Sequence, residues 1–232
     1  MYSAAASREW SAAGRREGAP GRRSIRFRRG RRIYSQGDPA DALYRIRDGT
    51  VKLTVVGAAG ETATVAMLGP GCFLGEDCLR GRGIRRTSAA AVTECRLLRI
   101  ERDVAVRRLG QVLPFCDALL THLLIRTTDC EASLSDQLLY PSEQRLARLL
   151  LRLCRLAARD GDQAVFSPKL THEALAEMTG TTRSRVSSFM SKFRRLGLIE
   201  YDHALKVHMR RLAEFIGHEA GGLGCPPRAV RT

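Results

Sequence analysis

The apolar pattern of this chain changes period near residue 112, and that switch leaves few architectures open. From about residue 30 to 110, short runs in partial alternation are separated by glycine turns. Leu43-Tyr44-Arg45-Ile46 leads into Asp48-Gly49, a hairpin-type turn, and Val51-Lys52-Leu53-Thr54-Val55-Val56 resumes after it. Gly57 to Gly60 interrupts again, Thr62 to Leu68 follows, Gly69-Pro70-Gly71 ends that run, and Ser88 to Ile100 supplies a further pair of strands. Strands at this density with glycine turns predict a small antiparallel barrel or sandwich. Beyond residue 112, Cys116, Leu120, Leu123, Thr127, Cys130 and Leu134 alternate at intervals of four and three. That is an a/d seam, the geometry with which a helix packs on an identical partner, and an ordinary amphipathic helix is the plainer alternative. Leu119 and Ile125 lie off the seam and are expected to pack back on the barrel.

Tyr140-Pro141 breaks this helix, because proline disfavours helix in the residue before it. Ser142 is then read as the cap of a new helix, Arg145 to Arg159. Leu146, Leu149, Leu150, Leu153 and Leu156 make its apolar face, and Arg145, Arg148, Arg152, Arg155 and Arg159 a solvated one. The sharpest local signal follows. Thr171 caps a short helix, His172 to Met178, and Gly180 stands where a tight turn needs positive φ. A second helix starts near Thr182 with Val186, Phe189, Met190 and Phe193 as its apolar face. Helix, short glycine turn and helix make a helix-turn-helix, whose second helix presents its N-terminal residues to base edges in the major groove.

Those residues are Thr181, Thr182, Arg183, Ser184, Arg185, Ser187 and Ser188, all short, polar or cationic. Arginine can bond bidentately to guanine, while serine and threonine suit phosphate oxygens or either base edge. Thr171 and Lys192 complete the expected DNA-binding set, with Arg194 and Arg195 continuing the basic surface. Leu198 to Tyr201 and Leu205 to His208 flank Asp202-His203-Ala204 as a two-stranded wing.

Charge placement agrees with that division. The net charge is +15, yet residues 33–140 balance 13 basic against 13 acidic residues, and residues 141–211 carry 14 basic against seven acidic. Residues 1–32 hold ten arginines against Glu9 and Glu17. A neutral middle joined to a basic C-terminal third fits a sensor or scaffold attached to a polyanion-binding unit, here double-stranded DNA. Cysteines 72, 78, 95, 116, 130, 154 and 225 are irregularly spaced, so they are expected to be reduced, structural thiols rather than metal ligands. No Ser-His-Asp set, metal motif or paired catalytic carboxylates emerge, which argues against an enzyme. No apolar run approaches the ~18 residues that span a bilayer, and the N-terminus lacks a secretory h-region, so the expected location is cytoplasmic.

The order of segments resembles the bacterial cyclic-AMP receptor / fumarate-nitrate reduction regulator (Crp/Fnr) family of transcription regulators, over about residues 30–215. The resemblance rests on Ile33-Tyr34-Ser35-Gln36-Gly37-Asp38-Pro39-Ala40-Asp41, Leu43 to Gly49 and Gly71-Cys72-Phe73-Leu74-Gly75-Glu76. In the C-terminal third it rests on Ser142 to Leu150, Leu170 to Ala176 and Gly180 to Ser187. It implies an α+β protein: an N-terminal cyclic-nucleotide-binding-type β-roll, a long dimerisation helix and a C-terminal winged helix-turn-helix. The implied division is a disordered basic tail over 1–24, the roll over 25–111, the dimer helix over 112–139, the DNA-binding domain over 140–216 and a flexible tail over 217–232.

The family's phosphate-binding cassette places Arg-Ser or Arg-Thr ten residues after the Glu of a Gly-Glu pair, and Gly75-Glu76 with Arg86-Thr87 keeps that spacing. The resemblance therefore implies a cyclic nucleotide, cyclic AMP or another, with its ribose on Glu76 and its phosphate on Arg86. Thr127 and Thr128 fall where nucleotide-sensing members hold the base, although the long-helix arginine four residues before them is here Leu123. A structural ion pair of Glu76 or Arg86 is the alternative, and with it a ligand-free scaffold or a thiol-sensing domain. The implied partners are a second copy of the chain and RNA polymerase. Ser184 and Ser188 replace the Glu and Arg of better-known recognition helices, so no operator sequence transfers.

Overall fold

A computed structural model of the chain describes residues 20–81, 83–166, 170–201 and 204–220. Most of the two expected tails, 1–19 and 221–232, and the wing tip Asp202-His203 lie outside the described residues. The chain divides into two compact units, residues 1–131 and 132–232.

The first unit opens with β1 (Arg22–Phe27), β2 (Arg32–Tyr34), β3 (Ala42–Asp48), β4 (Val51–Val56), β5 (Thr62–Leu68) and β6 (Phe73–Leu74). A 3-10 turn, Glu76–Arg80, precedes β7 (Ser88–Ala91) and β8 (Cys95–Glu101). Two antiparallel sheets, in order β1-β8-β3-β6 and β2-β7-β4-β5, form the roll. Tyr34, Tyr44, Ile46, Val51, Leu53, Leu74 and Leu97 are buried in one cluster. The opposite face of the first sheet buries Leu43, Phe73, Leu98 and Ile100 with Ala105 of α1 (Arg102–Gln111) and Phe115 and Leu119 of α2 (Leu113–Leu139). Strand β3 is thus buried on both sides, and residues 42–46 are buried without alternation, Arg45 included. One correction concerns the tail. Arg22, Arg23 and Ser24 pair with Ile100, Arg99 and Leu98, so residues 22–24 belong to the roll, held by backbone bonds that a polar sequence does not advertise.

A second correction concerns α2. Leu119 packs on the roll as expected, but so does Leu123, which had been assigned to the seam. Between its ends, Leu113 and Leu139, the exposed leucines of α2 are Leu120, Leu124, Leu134 and Leu138, and Leu124 is 69% exposed. With exposed Thr127 and Glu131 they again follow intervals of four and three, on a register shifted from 123 to 124.

Arg85 braces the roll from inside. It is 1% exposed. Its Nη1 donates to the Gly75 carbonyl at 2.8 Å, and its Nη2 to the Ala42 carbonyl at 2.7 Å. Its guanidinium lies over the Tyr34 ring at 4.5 Å. Gly75 is in the left-handed region at φ 81, and a Cβ there would collide with Arg85 Nη1.

The second unit holds the end of α2, then α3 (Ser142–Leu153), a 3-10 turn at Cys154–Leu156, and the hairpin β9 (Ala158–Asp160) and β10 (Gln163–Phe166). After these come α4 (His172–Thr179), α5 (Arg183–Arg195), β11 (Ile199–Tyr201), β12 (Leu205–His208) and α6 (Met209–Ala220). The sheet order is β11-β12-β10-β9, all antiparallel. Three expectations are revised here. Pro141, not Ser142, occupies the N-cap of α3. That helix ends at Leu153 rather than Arg159, because the chain turns into a hairpin about Gly161-Asp162. Residues 217–220, expected in a flexible tail, belong to α6. The arginine stripe of α3 is not simply solvated either. Arg148 and Arg152 both bond Asp136, a carboxylate with 2% side-chain exposure, and Arg148 covers the Tyr140 ring at 4.4 Å.

Removing the Arg85 guanidinium leaves two buried carbonyls without their donor. Arg85→Met is expected to lower unfolding free energy by about 2–4 kcal/mol in a urea titration. Arg86→Met, at the exposed neighbour, should change it by no more than about 0.5 kcal/mol. Equal small effects would show that Arg85 is not a brace.

Candidate nucleic-acid interface and sensor site

The interface is built by local rules. Thr171 caps α4, its Oγ1 accepting from Ala174 N at 3.1 Å. Gly180 closes that helix at φ 61 with its N–H on the Ala176 carbonyl, the left-handed cap that glycine adopts without strain. Thr182 then caps α5, accepting from Arg185 N at 3.4 Å, and shares a 3.0 Å hydroxyl contact with Ser184. Val186, Met190 and Phe193 are the buried face of α5, and Phe193 meets Phe215 of α6 edge-on at 5.6 Å. The same periodicity turns Thr182, Arg183, Ser184, Arg185, Ser187 and Ser188 outward, with Thr181 partly covered. No acidic residue stands in the first turn, so the positive end of the helix dipole and two arginines coincide.

Lys192 is drawn to α3 instead, where its Nζ meets Glu143 Oε1 at 2.7 Å. Arg194 and Arg195 are exposed. Behind the turn, His172 bonds the Tyr201 hydroxyl of the wing at 3.2 Å. Burial, then the Arg183 charge, lowers the His172 pKa, which favours the neutral ring in this contact between helix and wing.

In the first unit the sensor-site candidates separate into two groups. Gly75 and Glu76 stand at the start of the 3-10 turn, and Glu76 reaches across to α2. Its Oε1 meets His122 Nε2 at 3.2 Å and Arg126 Nη1 at 3.3 Å. The His122 ring packs on Phe73 at 5.7 Å. Arg86 is exposed, its backbone N–H donating to Asp77 Oδ2 at 3.3 Å, and Thr87 is half-buried. Thr127 and Thr128 are exposed, and their hydroxyls donate to the Leu123 and Leu124 carbonyls at 3.0 and 3.1 Å.

The structural ion pair held open for Glu76 is therefore made, but with Arg126 and not with Arg86. Neither His122 nor Arg126 was singled out by sequence, since they lie 46 and 50 residues from Glu76 and no local spacing signals the contact. A separate cleft of about 510 Å3 beside Asp41 and Gly83 contains neither Glu76 nor Arg86. Its arginines are paired at its own rim, Arg99 with Asp41 and Glu101, and Arg102 with Asp103. Among the described residues no cluster of His, Cys, Asp and Glu has the arrangement of a metal site, and no helix is long and apolar enough to cross a membrane.

A roll with a Gly-Glu turn on a long helix, and a winged helix-turn-helix with a cationic recognition face, define a DNA-binding transcription regulator. Residues 24–110 match the cyclic nucleotide-binding domain model and residues 144–216 the Crp-like helix-turn-helix domain model. The chain belongs to the Crp/Fnr family of transcription regulators, which is not a family of enzymes. It is 34% identical over 176 residues to a cyclic AMP receptor protein of Thermus thermophilus, covering 75% of this chain and 77% of that one. It is 27% identical over 179 residues to a CRP-like cAMP-activated global transcriptional regulator of Mycobacterium tuberculosis, covering 77% and 80%. Its fold superposes on FixK2 from Bradyrhizobium japonicum with a TM-score of 0.71 at 18% identity, over 83% of this chain and 96% of that one.

The cluster about Glu76 has a definite pH signature. Burial alone drives the Glu76 carboxyl up, but the His122 bond and the Arg126 charge outweigh it and hold it below its ordinary 4.5. Burial alone lowers His122, but its bonds to Cys72 and Glu76 outweigh that and hold it above its ordinary 6.5. The depressed carboxyl stabilises the fold above its unfolded value and loses that contribution as pH falls through its folded one. The raised imidazole stabilises fully below its unfolded value and loses that contribution as pH rises through its folded one. His122→Asn should consequently lower the urea midpoint more at about pH 6 than at about pH 8.5. A difference that does not change with pH would mean His122 is neutral throughout.

Proposed function

We propose that this chain is a cytoplasmic, homodimeric regulator whose α5 face reads a two-fold symmetric operator and whose roll binds a small anionic ligand, most simply a cyclic nucleotide. The observation that carries the DNA reading is the capped, acid-free start of α5, with Arg183 and Arg185 outward on a helix anchored by Val186, Met190 and Phe193. Thr181, Ser184, Ser187 and Ser188 share the base-edge or phosphate contacts. The Thr171 and Thr182 hydroxyls serve first as helix caps, and Lys192 acts from its ion pair with Glu143 at the margin of the interface. RNA polymerase is the partner that a regulator of this family engages at a promoter.

For the ligand, Gly75, Glu76, Arg86 and Thr87 supply the cassette and Thr127 and Thr128 supply hydroxyls from α2. Exposure of Arg86 suits a phosphate arriving from solvent, and Glu76 has to loosen its hold on Arg126 to accept a ribose hydroxyl. The names of relatives, a cyclic AMP receptor protein and a cAMP-activated regulator, support the same class. The ligand promotes operator binding only insofar as it favours one arrangement of the protein over another. That same Glu76–Arg126 pair favours a second reading, in which the roll is a ligand-free scaffold or a thiol-sensing domain because its carboxylate is already satisfied.

The dimer is assigned to the exposed stripe Leu120, Leu124, Thr127, Leu134 and Leu138. Leu124→Asp should give a folded monomer at micromolar concentration, because an unpaired charge in such a seam costs several kcal/mol. Leu123→Asp should instead destabilise the first unit itself. A Leu124→Asp protein that still sediments as a dimer sinks this interface.

Operators selected from a random library should contain half-sites about 10 base pairs apart. On them Arg183→Ala or Arg185→Ala should cost ~1–3 kcal/mol and relax one base preference, whereas Arg194→Ala should weaken all sequences alike. Calorimetry with cyclic AMP and cyclic GMP should show binding to wild type and its loss in Arg86→Ala. Full operator affinity without ligand, with no heat from either nucleotide, would leave the scaffold reading standing.

A further inference from the structure

One buried imidazole stands where the roll meets α2. His122, with 1% side-chain exposure, has its Nε2 3.2 Å from Glu76 Oε1, and Arg126 Nη1 reaches the same oxygen at 3.3 Å. A single carboxylate oxygen is thus shared by an inaccessible ring and by a guanidinium from the next turn of the same helix. The His122 ring packs on Phe73 at 5.7 Å, and the Arg45 guanidinium lies 5.5 Å from that same phenyl ring. The titratable and charged groups about the imidazole are therefore Glu76 from the 3-10 turn, Arg126 from α2, the Cys72 thiol next in chain to Phe73, and Arg45 from β3. Glu76 is the one carboxylate among them. An imidazolium walled off from water keeps its proton only while an opposite charge stands beside it. Burial pulls the His122 pKa down, yet the Cys72 and Glu76 side chains hold it above its ordinary 6.5. Withdrawal of that carboxylate leaves the ring buried among cations, where the neutral form is favoured.

We propose that ligand entry into the roll is coupled to a proton: His122 and Arg126 latch Glu76, and a ligand hydroxyl that takes the carboxylate drives a proton off His122 to solvent. This rests on the reading of the roll as a cyclic-nucleotide site and adds a regulation by pH to it. The phosphate charge goes to Arg86, which is exposed, and so does not replace the Glu76 charge beside a ring that is buried. Binding favours the form that has lost the proton. Below the pKa of His122 in the complex both states carry the proton, and above its pKa in the free protein neither does, so affinity is flat in both limits. Between those limits affinity rises with pH, by up to about tenfold per unit.

The test is isothermal titration of the full-length protein with cyclic AMP and with cyclic GMP at about pH 7, in Hepes and in Tris, whose protonation enthalpies differ. Wild-type heats should differ between the buffers by the amount that release of up to about one proton per nucleotide requires. His122→Gln keeps an amide donor near the position of Nε2 but no titrating group, and should give the same heat in both buffers. Equal wild-type heats overturn the proton coupling and leave the nucleotide reading intact, as does a difference of the sign that means proton uptake. An unchanged buffer difference in His122→Gln places the proton on another group and overturns the coupling too. No heat from either nucleotide overturns the nucleotide reading and the coupling together. Should His122→Gln not fold, the histidine ring resonances of wild type decide. One of the five histidines losing its charge on saturation with nucleotide supports the coupling, and none doing so refutes it.

Discussion

The sensor unit depends on one buried cation. Arg85 lies inside the roll with its guanidinium on the Gly75 and Ala42 carbonyls and its flat face on Tyr34. Its charge is answered at the edge by Asp41 at 3.4 Å, which also holds Arg99. Because Nη1 fills the space above Gly75, that residue cannot carry a side chain, and the chain must turn there in the left-handed region. The next residue is Glu76, so the brace that closes the roll also aims the carboxylate toward α2. Packing and site geometry are therefore the same constraint, and a change at either Gly75 or Arg85 moves both.

What could be read from sequence follows the range of the interactions. The helix-turn-helix was legible because its determinants are local: a threonine cap three residues from its donor, a glycine in the left-handed region and an apolar face repeating within 13 residues. The exposed leucine stripe of α2 was half legible. Intervals of four and three fit both 123 and 124, and only the roll, by taking Leu119 and Leu123 onto its own surface, decides which leucine is left outside. The end of α3 was placed too late, at Arg159, since its leucines continue their period to Leu156 while the backbone has already left the α-helix. The Glu76–His122–Arg126 cluster had no local signal at all. Of two adjacent arginines, sequence spacing selected Arg86, while the brace is Arg85, and only burial distinguishes them.

Charge counting overstates how many cations in the second unit face a polyanion. Arg148 and Arg152 converge on Asp136, whose side chain is nearly inaccessible. Two cations on one buried carboxylate leave it more than neutralised, and the surplus is spread over the Tyr140 ring that Arg148 covers. Lys192 is likewise tied to Glu143. These pairs fix α3 against its neighbours in sequence and in space, so their contribution is to hold the domain in shape. Among the described residues, the cations of α5 that meet no carboxylate are Arg183 and Arg185 at its start and Arg194 and Arg195 at its end.

That distribution separates two jobs along one helix. At the start of α5, arginines alternate with hydroxyl residues on a surface rigidly set by the Thr182 cap and by Val186 beneath it, which is the geometry for reading base edges. At its end, Arg194 and Arg195 follow the last buried residue, Phe193, and stand beside the Gly197 turn into the wing, where chain direction rather than side-chain packing sets their position. Long flexible cations on such a segment suit phosphate contacts, which position a protein without specifying sequence. On the proposed DNA reading, specificity would rest on the capped N-terminal turn and affinity on the cations at the C-terminal end. Replacement of the commonly acidic position by Ser184 fits this division, since its hydroxyl is already engaged with Thr182 and adds to the rigidity of the reading surface.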